Sequence, residues 1–500
     1  MQTLRRPVWP SRVSAPALAP VWTALALASG LLLARLSLVT SLEIAGGLVV
    51  VVATIWEPAL GLGLALAVGT THAYLAAARP DIPDLGQLLL GLALAGWLAR
   101  GLAQRAIVIP RIGLLVPLGL YLGASLLSLV PATSASLELG LKELVKWAEV
   151  GAVLVVVVAE VGRGRARWLL AAVLLAGLAQ ALLGLWQYQF RGTGPENFQI
   201  LGNHFRAYGT FEQPNPYGGY LGLIWPVAAG LAWSCLAKAW FTRRASTAVV
   251  AIGLALATVL MLAALYVSFS RGAWLGAAAA GLALAAVLPR RIGLGVLLVG
   301  LGLGLGWSLA VTGLLPASLT DRLAQVGDFT TVTDVRGINI TGDNFAIVER
   351  LAHWQAAEGM ARDYPWLGVG VGNYETAYPS YSLINWPLAL GHAHMIYLNV
   401  LAETGLVGLL AYCVLWAAVI VLTIRTIGRT SGLSRGLAIG LLGTWVHLSA
   451  HQIVDDLYVN NIPLTLGVLL GLLIILERGS HQARPLTAPI DRFEPSGHGL

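Results

Sequence analysis

The chain has 500 residues, of which 57% are hydrophobic and 11% charged, with a formal net charge of +7. A soluble globular domain carries about 25% charged residues, so a water-soluble enzyme is excluded and an integral membrane protein is expected. The positive balance does not signal nucleic acid, because Lys and Arg sit in short clusters between apolar runs, as membrane orientation requires.

Apolar runs of about 20 residues can cross a bilayer as helices. In chain order they fall at 19–40, 43–57, 58–78, 85–99, 112–130, 144–161, 168–189, 217–236, 247–268, 272–289, 292–313, 395–424, 436–450 and 462–476. The first run is too long for a typical signal peptide and has no clear small-residue cleavage site, so it reads as a retained helix. The runs at 43–57, 85–99 and 436–450 are short, and two of the short runs can form one re-entrant pair. The fold expected is an all-α polytopic transmembrane bundle of about 12–14 helices. Cys235 and Cys413 lie in apolar segments and give neither a disulfide framework nor a metal spacing.

With the N-terminus in the cytoplasm, Arg5, Arg6 and Arg12, the clusters at 100–111, 163–167, 238–244, 290–291 and 425–435, and the tail arginines 478, 484 and 492 all fall inside. These are 20 of the 31 Lys and Arg residues, so this orientation is self-consistent. The opposite face then carries two long loops, 190–216 and 314–394. The second is the only segment large enough for a small extramembrane subdomain with short helices. Within it Ile347, Leu351, Trp354 and Met360 share one helical face. The following GVGVGN lacks the strand–turn–helix setting of a nucleotide-binding loop, and its glycines read as tight backbone turns.

The exceptions to the charge pattern gather on that face. Arg271, in "YVSFSRGAWLG", interrupts apolar sequence between two helices. A cation there is costly and faces a polar cavity, unless it snorkels to the interface. Arg206 lies in a loop, but Asn215 and Pro216 follow it as first-turn residues of a helix, and such a helix start favours anions. Arg350 opens the loop helix. His392 and His394 precede the run at 395–424. Two histidines at i and i+2 on a helix point in different directions, and no Cys or carboxylate supplies a clear third ligand, so no metal is assigned. An imidazole titrating near neutrality suits a general base better. Asp455 and Asp456, in "HLSAHQIVDDLYVNN", read as structural or arginine-orienting, although such a pair can also hold a divalent cation on a phosphate.

These stretches resemble a known family. "SRGAWLG" is similar to an R-x3-L signature, Arg271 to Leu275, and "HAHMIYLNVLAETGLVG" to an H-x10-G signature, His394 to Gly405. "FRAYGTFEQPNPYGGYL", "ERLAHWQAAEGMARDYPWLGVGVGNY" and "HQIVDDLY" also fit, in order. The chain resembles the O-antigen ligases and the related Wzy-type O-antigen polymerases over roughly residues 200–475. Met395 departs from the pattern, since members often have Asn after the histidine. The resemblance implies residues 1–190 as N-terminal transmembrane helices, 191–476 as the catalytic membrane region with the loop 314–394, and 477–500 as a cytoplasmic tail. It implies a multi-pass protein of the bacterial inner membrane with an extracytoplasmic site. The partners implied are an undecaprenyl-diphosphate-linked glycan, an acceptor glycolipid or glycan, and membrane lipids. His394, Arg271 and Arg206 are the catalytic candidates. Arg350, Asn215, His392 and Asp455 are the candidates for binding diphosphate or glycan, and no cofactor is expected. The transfer implied is metal-independent and inverting. The alternatives are a polymerase of lipid-linked repeats and, from a different class, a lipid-linked glycan flippase, which requires paired discontinuous helices and mid-membrane charges.

Overall fold

The computed structural model describes residues 20, 23, 30, 35–107, 109–130, 134–160, 163–200, 202, 204–314, 334–341 and 344–482. Most of the first expected run, part of the long loop and the chain beyond 482 lie outside these residues. Among the described residues there are sixteen α-helices and one two-stranded antiparallel ribbon, β1 (Gln199–Ile200) and β2 (His204–Phe205). The helices before the ribbon are α1 (Leu38–Trp56), α2 (Pro58–Gly69), α3 (His72–Ala78), α4 (Leu85–Ala103), α5 (Leu115–Leu127), α6 (Ser134–Glu160) and α7 (Arg163–Gln189). After it come α8 (Pro214–Thr242), α9 (Ala245–Tyr266), α10 (Arg271–Val287), α11 (Ile292–Val311), α12 (Phe345–Asp363), α13 (Tyr374–Ala377), α14 (Ile396–Arg429), α15 (Gly432–His451) and α16 (Ile462–Gln482).

Among the described residues eight helices are long and apolar enough to cross a membrane, or nine if α2 and α3, bent by 57° at their junction, form one span. The protein is thus an all-α, multi-pass membrane bundle. The expected run at 58–78 is this bent pair rather than one straight helix. The runs at 112–130, 144–161, 272–289 and 436–450 also become helices, α5, α6, α10 and α15. They are too short or too polar to qualify as spans alone. They are held by neighbours instead. α15 packs on α8 and α10, α6 on α16, and α5 on α14. One apolar cluster extends from Leu62 to Ile474 and includes residues from both sides of position 190.

The two ends of the bundle differ chemically. At one end basic side chains tie helices together. Arg100 pairs with Glu160 at 3.3 Å and Arg165 with Glu57 at 3.2 Å. Arg435 donates to the carbonyls of Val287 and Leu288 at the end of α10, at 2.8 and 3.2 Å. A guanidinium there satisfies the orphan carbonyls of a helix C-terminus and opposes its dipole. Arg271 is the first residue of α10 and therefore lies at the opposite end, behind an N-cap in which Ser270 Oγ accepts from Ala273 N.

α14 is not continuous. Gly405 has φ 64° and ψ −167°, so the helix breaks between Thr404 and Leu406. The backbone groups freed by the break are taken up by the long loop. Val369 and Gly370 N–H donate to Ala402 and Glu403 carbonyls at 2.9 and 2.8 Å, and Leu406 N–H donates to Pro365 O at 2.9 Å. Irregular backbone at membrane depth is tolerated only where protein satisfies it in this way. The buried Glu403 carboxylate adds two more bonds, from Gly372 N at 2.9 Å and Tyr374 N at 3.1 Å. The GVGVGN stretch is thus a backbone strap laid across a broken helix. A Cβ on Gly405 would lie 2.2 Å from the Trp366 carbonyl carbon, and one on Gly368 would lie 2.3 Å from that of Glu403.

Gly405→Ala is expected to lower the stability of the folded protein by on the order of 3 kcal/mol, because it combines a glycine-only conformation with a backbone collision. Thermal unfolding in detergent reads this as a lower midpoint. An unchanged midpoint would mean that the strap does not depend on the break.

Candidate active site

The loop helix α12 docks through two small apolar clusters. Ile347 and Leu351 pack with Val335 and Trp386, joined by the half-buried Trp354, while Met360 packs with Tyr374 and Tyr378. The expected apolar face is therefore buried, and it divides between the two clusters. Docking of α12 brings Arg350 over the N-terminal end of α10.

There, a cavity of about 600 Å³ is lined by Arg206, Arg271, Arg350, Asn215 and Asp455 on its polar side. Its other walls are apolar and include Leu262, Leu265, Phe269, Trp274 and Leu275. Arg271 and Leu275 are one helical turn apart, so the R-x3-L spacing puts a cation and an apolar wall on one face. Arg206 is held rigidly. Its Nε donates to Ser268 O at 2.8 Å, and its Nη2 donates to Asn215 Oδ1 at 3.1 Å and Phe269 O at 3.3 Å. These bonds tie the loop after β2 to the connector that carries Arg271. Arg350 Nη1 donates to Ala346 O at 3.0 Å, while its buried Nε has no hydrogen-bond partner among the described residues.

A second cavity, of about 400 Å³, is lined by His392, His394, Asn215, Asp455, Asp456 and Asn460, among others. Asn215 and Asp455 line both cavities, so the two adjoin across these side chains. All seven residues singled out from the sequence therefore border one pair of cavities at one end of the bundle.

Local bonding sets the histidine geometry. Ala393 N–H donates to Asn399 Oδ1 at 3.0 Å, and Ile396 N–H donates to Gln452 O at 3.1 Å. These bonds hold the turn before α14, where His394 has φ 53°. Glu212, Phe269 and Asn460 share this left-handed conformation, and all four residues line one or the other cavity. Backbone strain of this kind collects at functional sites because the surrounding structure has to hold it.

His394 N–H donates to His392 Nδ1 at 3.0 Å. A neutral His392 therefore carries its proton on Nε2. The His394 ring lies edge-on to His392, with ring centres 4.5 Å apart, and edge-on to His353, at 5.3 Å. Burial, with positive charge on His392, Arg350 and His353 adding to it, lowers the His394 pKa to about 2. The imidazole is thus neutral, the form that a base requires. Burial raises the Asp455 carboxyl pKa, opposed by His392 and Arg350.

His353 was not among the sequence candidates. It lies three residues after Arg350 on α12, so helical spacing was the available signal. It is fully buried. Tyr374 donates its hydroxyl proton to His353 O at 3.1 Å, which leaves the 2.9 Å contact between Tyr374 Oη and His353 Nδ1 to be donated by the ring. Nε2 is then the bare nitrogen, buried and without a partner among the described residues.

Asp455 corrects one sequence argument. The carboxylate missing beside the histidine pair is supplied from the far end of α15, and the ligand atoms of His392, His394 and Asp455 lie within 4.8 Å of one another. The cluster is nevertheless poorly suited to a metal. His392 Nδ1 is already engaged by the His394 backbone, and a neutral His392 then carries its proton on Nε2 and has no free lone pair for an ion.

Residues 256–413 match the family model described as O-antigen ligase. Over this stretch, about a third of the chain, the protein is similar to the O-antigen ligases. The matched stretch contains Arg271, Arg350, His392 and His394, whereas Arg206, Asn215 and Asp455 join the site from outside it. It is narrower than the resemblance across 200–475. No curated protein matches the chain. The match and the apolar helices together mark a multi-pass membrane protein with an O-antigen ligase or polymerase-like function.

Burial lowers the pKa of His353 to about 4, helped by charge on His392, and that of His394 further. Both groups bind protons more readily when the loop is undocked. Stability of the docked loop is therefore full above about pH 6.5 and falls as the pH drops through the unfolded value toward about 4. Hydrogen exchange of residues 345–394 is expected to show opening that increases as pH falls from 7.5 to 5, after correction for intrinsic exchange. Protection independent of pH would contradict the buried neutral imidazoles.

Proposed function

We propose that the protein is a glycan transferase of O-antigen ligase type, moving a glycan from undecaprenyl diphosphate to an acceptor hydroxyl. The reaction takes place at the outer face of the bacterial cytoplasmic membrane, with both termini inside. The adjoining of an arginine-lined, apolar-walled cavity and a histidine cavity, across Asn215 and Asp455, carries this reading.

The arginine cavity suits a lipid diphosphate. Its apolar walls accept the first part of a prenyl chain, and its guanidiniums bind phosphate oxygens through charge-assisted, bidentate hydrogen bonds. Arg206, Arg271 and Arg350 stabilise the charge that grows on the departing diphosphate. The leaving group is a stable anion and needs little acid catalysis. The acceptor hydroxyl is a weak nucleophile, and His394 takes its proton as the oxygen attacks the anomeric carbon. The new C–O bond forms as the bond to the diphosphate oxygen breaks, and undecaprenyl diphosphate leaves with the electron pair. Direct displacement inverts the anomeric centre, and the bond broken supplies the driving force. Asn215 and His392 orient the groups between the two cavities, and Asp455 opposes the positive charge of Arg350.

A lipid A core or a similar glycolipid is the acceptor favoured by the ligase motifs, with a polymerase joining lipid-linked repeats as the alternative. A flippase is disfavoured. Arg35, Glu149 and Glu160 are the charges that come nearest to mid-membrane in the sequence; of these Glu160 pairs with Arg100 at the basic end, and Glu149 bonds to Gln87 near the start of α4.

Reconstitution with an undecaprenyl-diphosphate glycan and candidate acceptors tests the proposal by product analysis. Arg271→Ala is expected to cut transfer by on the order of a hundredfold or more, whereas Arg271→Lys recovers only part of it because the planar fork is lost. Full activity of the alanine variant would remove Arg271 from the mechanism.

Transfer is also expected to survive EDTA. Loss in EDTA that Mg²⁺, Mn²⁺ or Zn²⁺ restores would make the His392, His394 and Asp455 cluster a metal site and displace His394 as base.

A further inference from the structure

The histidine cavity adjoins the arginine cavity on one side and, on the other, a third cavity of about 440 Å³, with Val459 and Asn460 lining both the histidine cavity and the third. The third cavity's remaining walls come from α3, α4, α6 and the start of α16, a region largely outside the matched family stretch. We propose that this third cavity is the acceptor subsite, and that it binds the hydroxyls of a saccharide that carries little net charge near the attacking oxygen. The assignment rests on the transferase reading above and names the substrate class of its second substrate.

Charge balance separates the two outer cavities. The arginine cavity sets three guanidiniums against one carboxylate, as a diphosphate requires. The third cavity sets Lys142 and Lys146 against Asp84 and Glu149. Such a balanced lining offers a diphosphate no net attraction, but it offers sugar hydroxyls both donors and acceptors.

The lining is also preorganised. Gln87 Nε2 donates to Asn461 Oδ1 at 2.8 Å and Glu149 Oε2 at 3.0 Å. Asn461 Nδ2 donates to Asp84 at 2.9 Å, and Asp84 pairs with His72 at 3.1 Å. Glu149 Oε1 is left buried without a partner among the described residues, as an acceptor for a ligand hydroxyl would be. Asn460 and Asn461 have φ 49° and 60°, a conformation that Asn tolerates better than most residues. This turn forms the wall between the histidine cavity and the third cavity. Val145 and Lys142 are exposed at the mouth, so a lipid-anchored acceptor can enter from the side.

Initial-rate kinetics test the assignment, with undecaprenyl-diphosphate glycan as donor and either a lipid A–core glycolipid or a second lipid-linked repeat unit as acceptor. Glu149→Gln and Lys142→Gln are expected to raise the acceptor KM about tenfold, the loss expected of a charge-assisted hydrogen bond, and to leave the donor KM and donor hydrolysis by water unchanged. A raised donor KM, or an unchanged acceptor KM in both variants, overturns the proposal. Photocrosslinking reads binding without turnover. A benzophenone amino acid at Val145 is expected to capture the acceptor and one at Leu275 the donor, and donor capture at Val145 overturns the assignment. Acceptor capture at position 145, together with a wild-type enzyme that transfers nothing, would leave the subsite standing and sink the transferase reading instead.

Discussion

A membrane helix that stops bonding to itself must find other partners for its backbone, since lipid offers none. In α14 those partners are Pro365 to Gly370, and the whole site rests on this exchange. The break at Gly405 opens the groups, the strap closes them, and Glu403 fixes the strap by accepting two further backbone bonds. The strap leads directly from α12, which carries Arg350 and His353, while α14 begins two residues after His394. One set of backbone bonds therefore fixes the loop helix relative to the histidine turn. The distance between a cation and a base on different segments becomes a property of a packed core.

The same logic explains why the reactive groups sit on turns and helix starts rather than within spans. A helix interior satisfies its own backbone and points its side chains into packing or lipid. At the end of the bundle, Arg271 heads a helix, Arg206 grips the connector before it, and His394 occupies a left-handed turn. Such positions border the cavities but cost conformational energy. Rigid neighbours offset that cost, as the bonds from Ala393 to Asn399 and from Ile396 to Gln452 illustrate.

Much of this was legible in the sequence, for identifiable reasons. A charge in apolar sequence is conspicuous, so Arg271 stood out, and the order of the motifs linked it to His394. The helix-start residues around Asn215 and the apolar face of α12 followed from local rules. What the sequence hid was long-range. Asp455 lies some sixty residues beyond His394, and only the packing of α15 and α14 brings it beside the histidine pair. Gly405 was visible as part of a signature, but its reason, a strap crossing a helix break, needs the partner segment. His353 looked like one more residue on an amphipathic helix, because burial and a bond to Tyr374 leave no mark in the chain. Short apolar runs such as α5 and α10 were legible as helices, but that they are held by neighbours as much as by their own hydropathy was not.

The electrostatics of the site follow from its crowding. His394 is neutral because burial first, and then positive charge on His392, Arg350 and His353, oppose its protonation. That neutrality comes with a weakness, because a conjugate acid with a pKa of about 2 marks a poor proton acceptor. In the proposed reaction an anion in the arginine cavity eases part of this. A diphosphate beside Arg350 neutralises the one guanidinium whose charge opposes protonation of His394 and adds negative charge across Asn215 and Asp455, and both changes raise the affinity of His394 for a proton. Within that reaction the donor therefore supplies the leaving group and also strengthens the base.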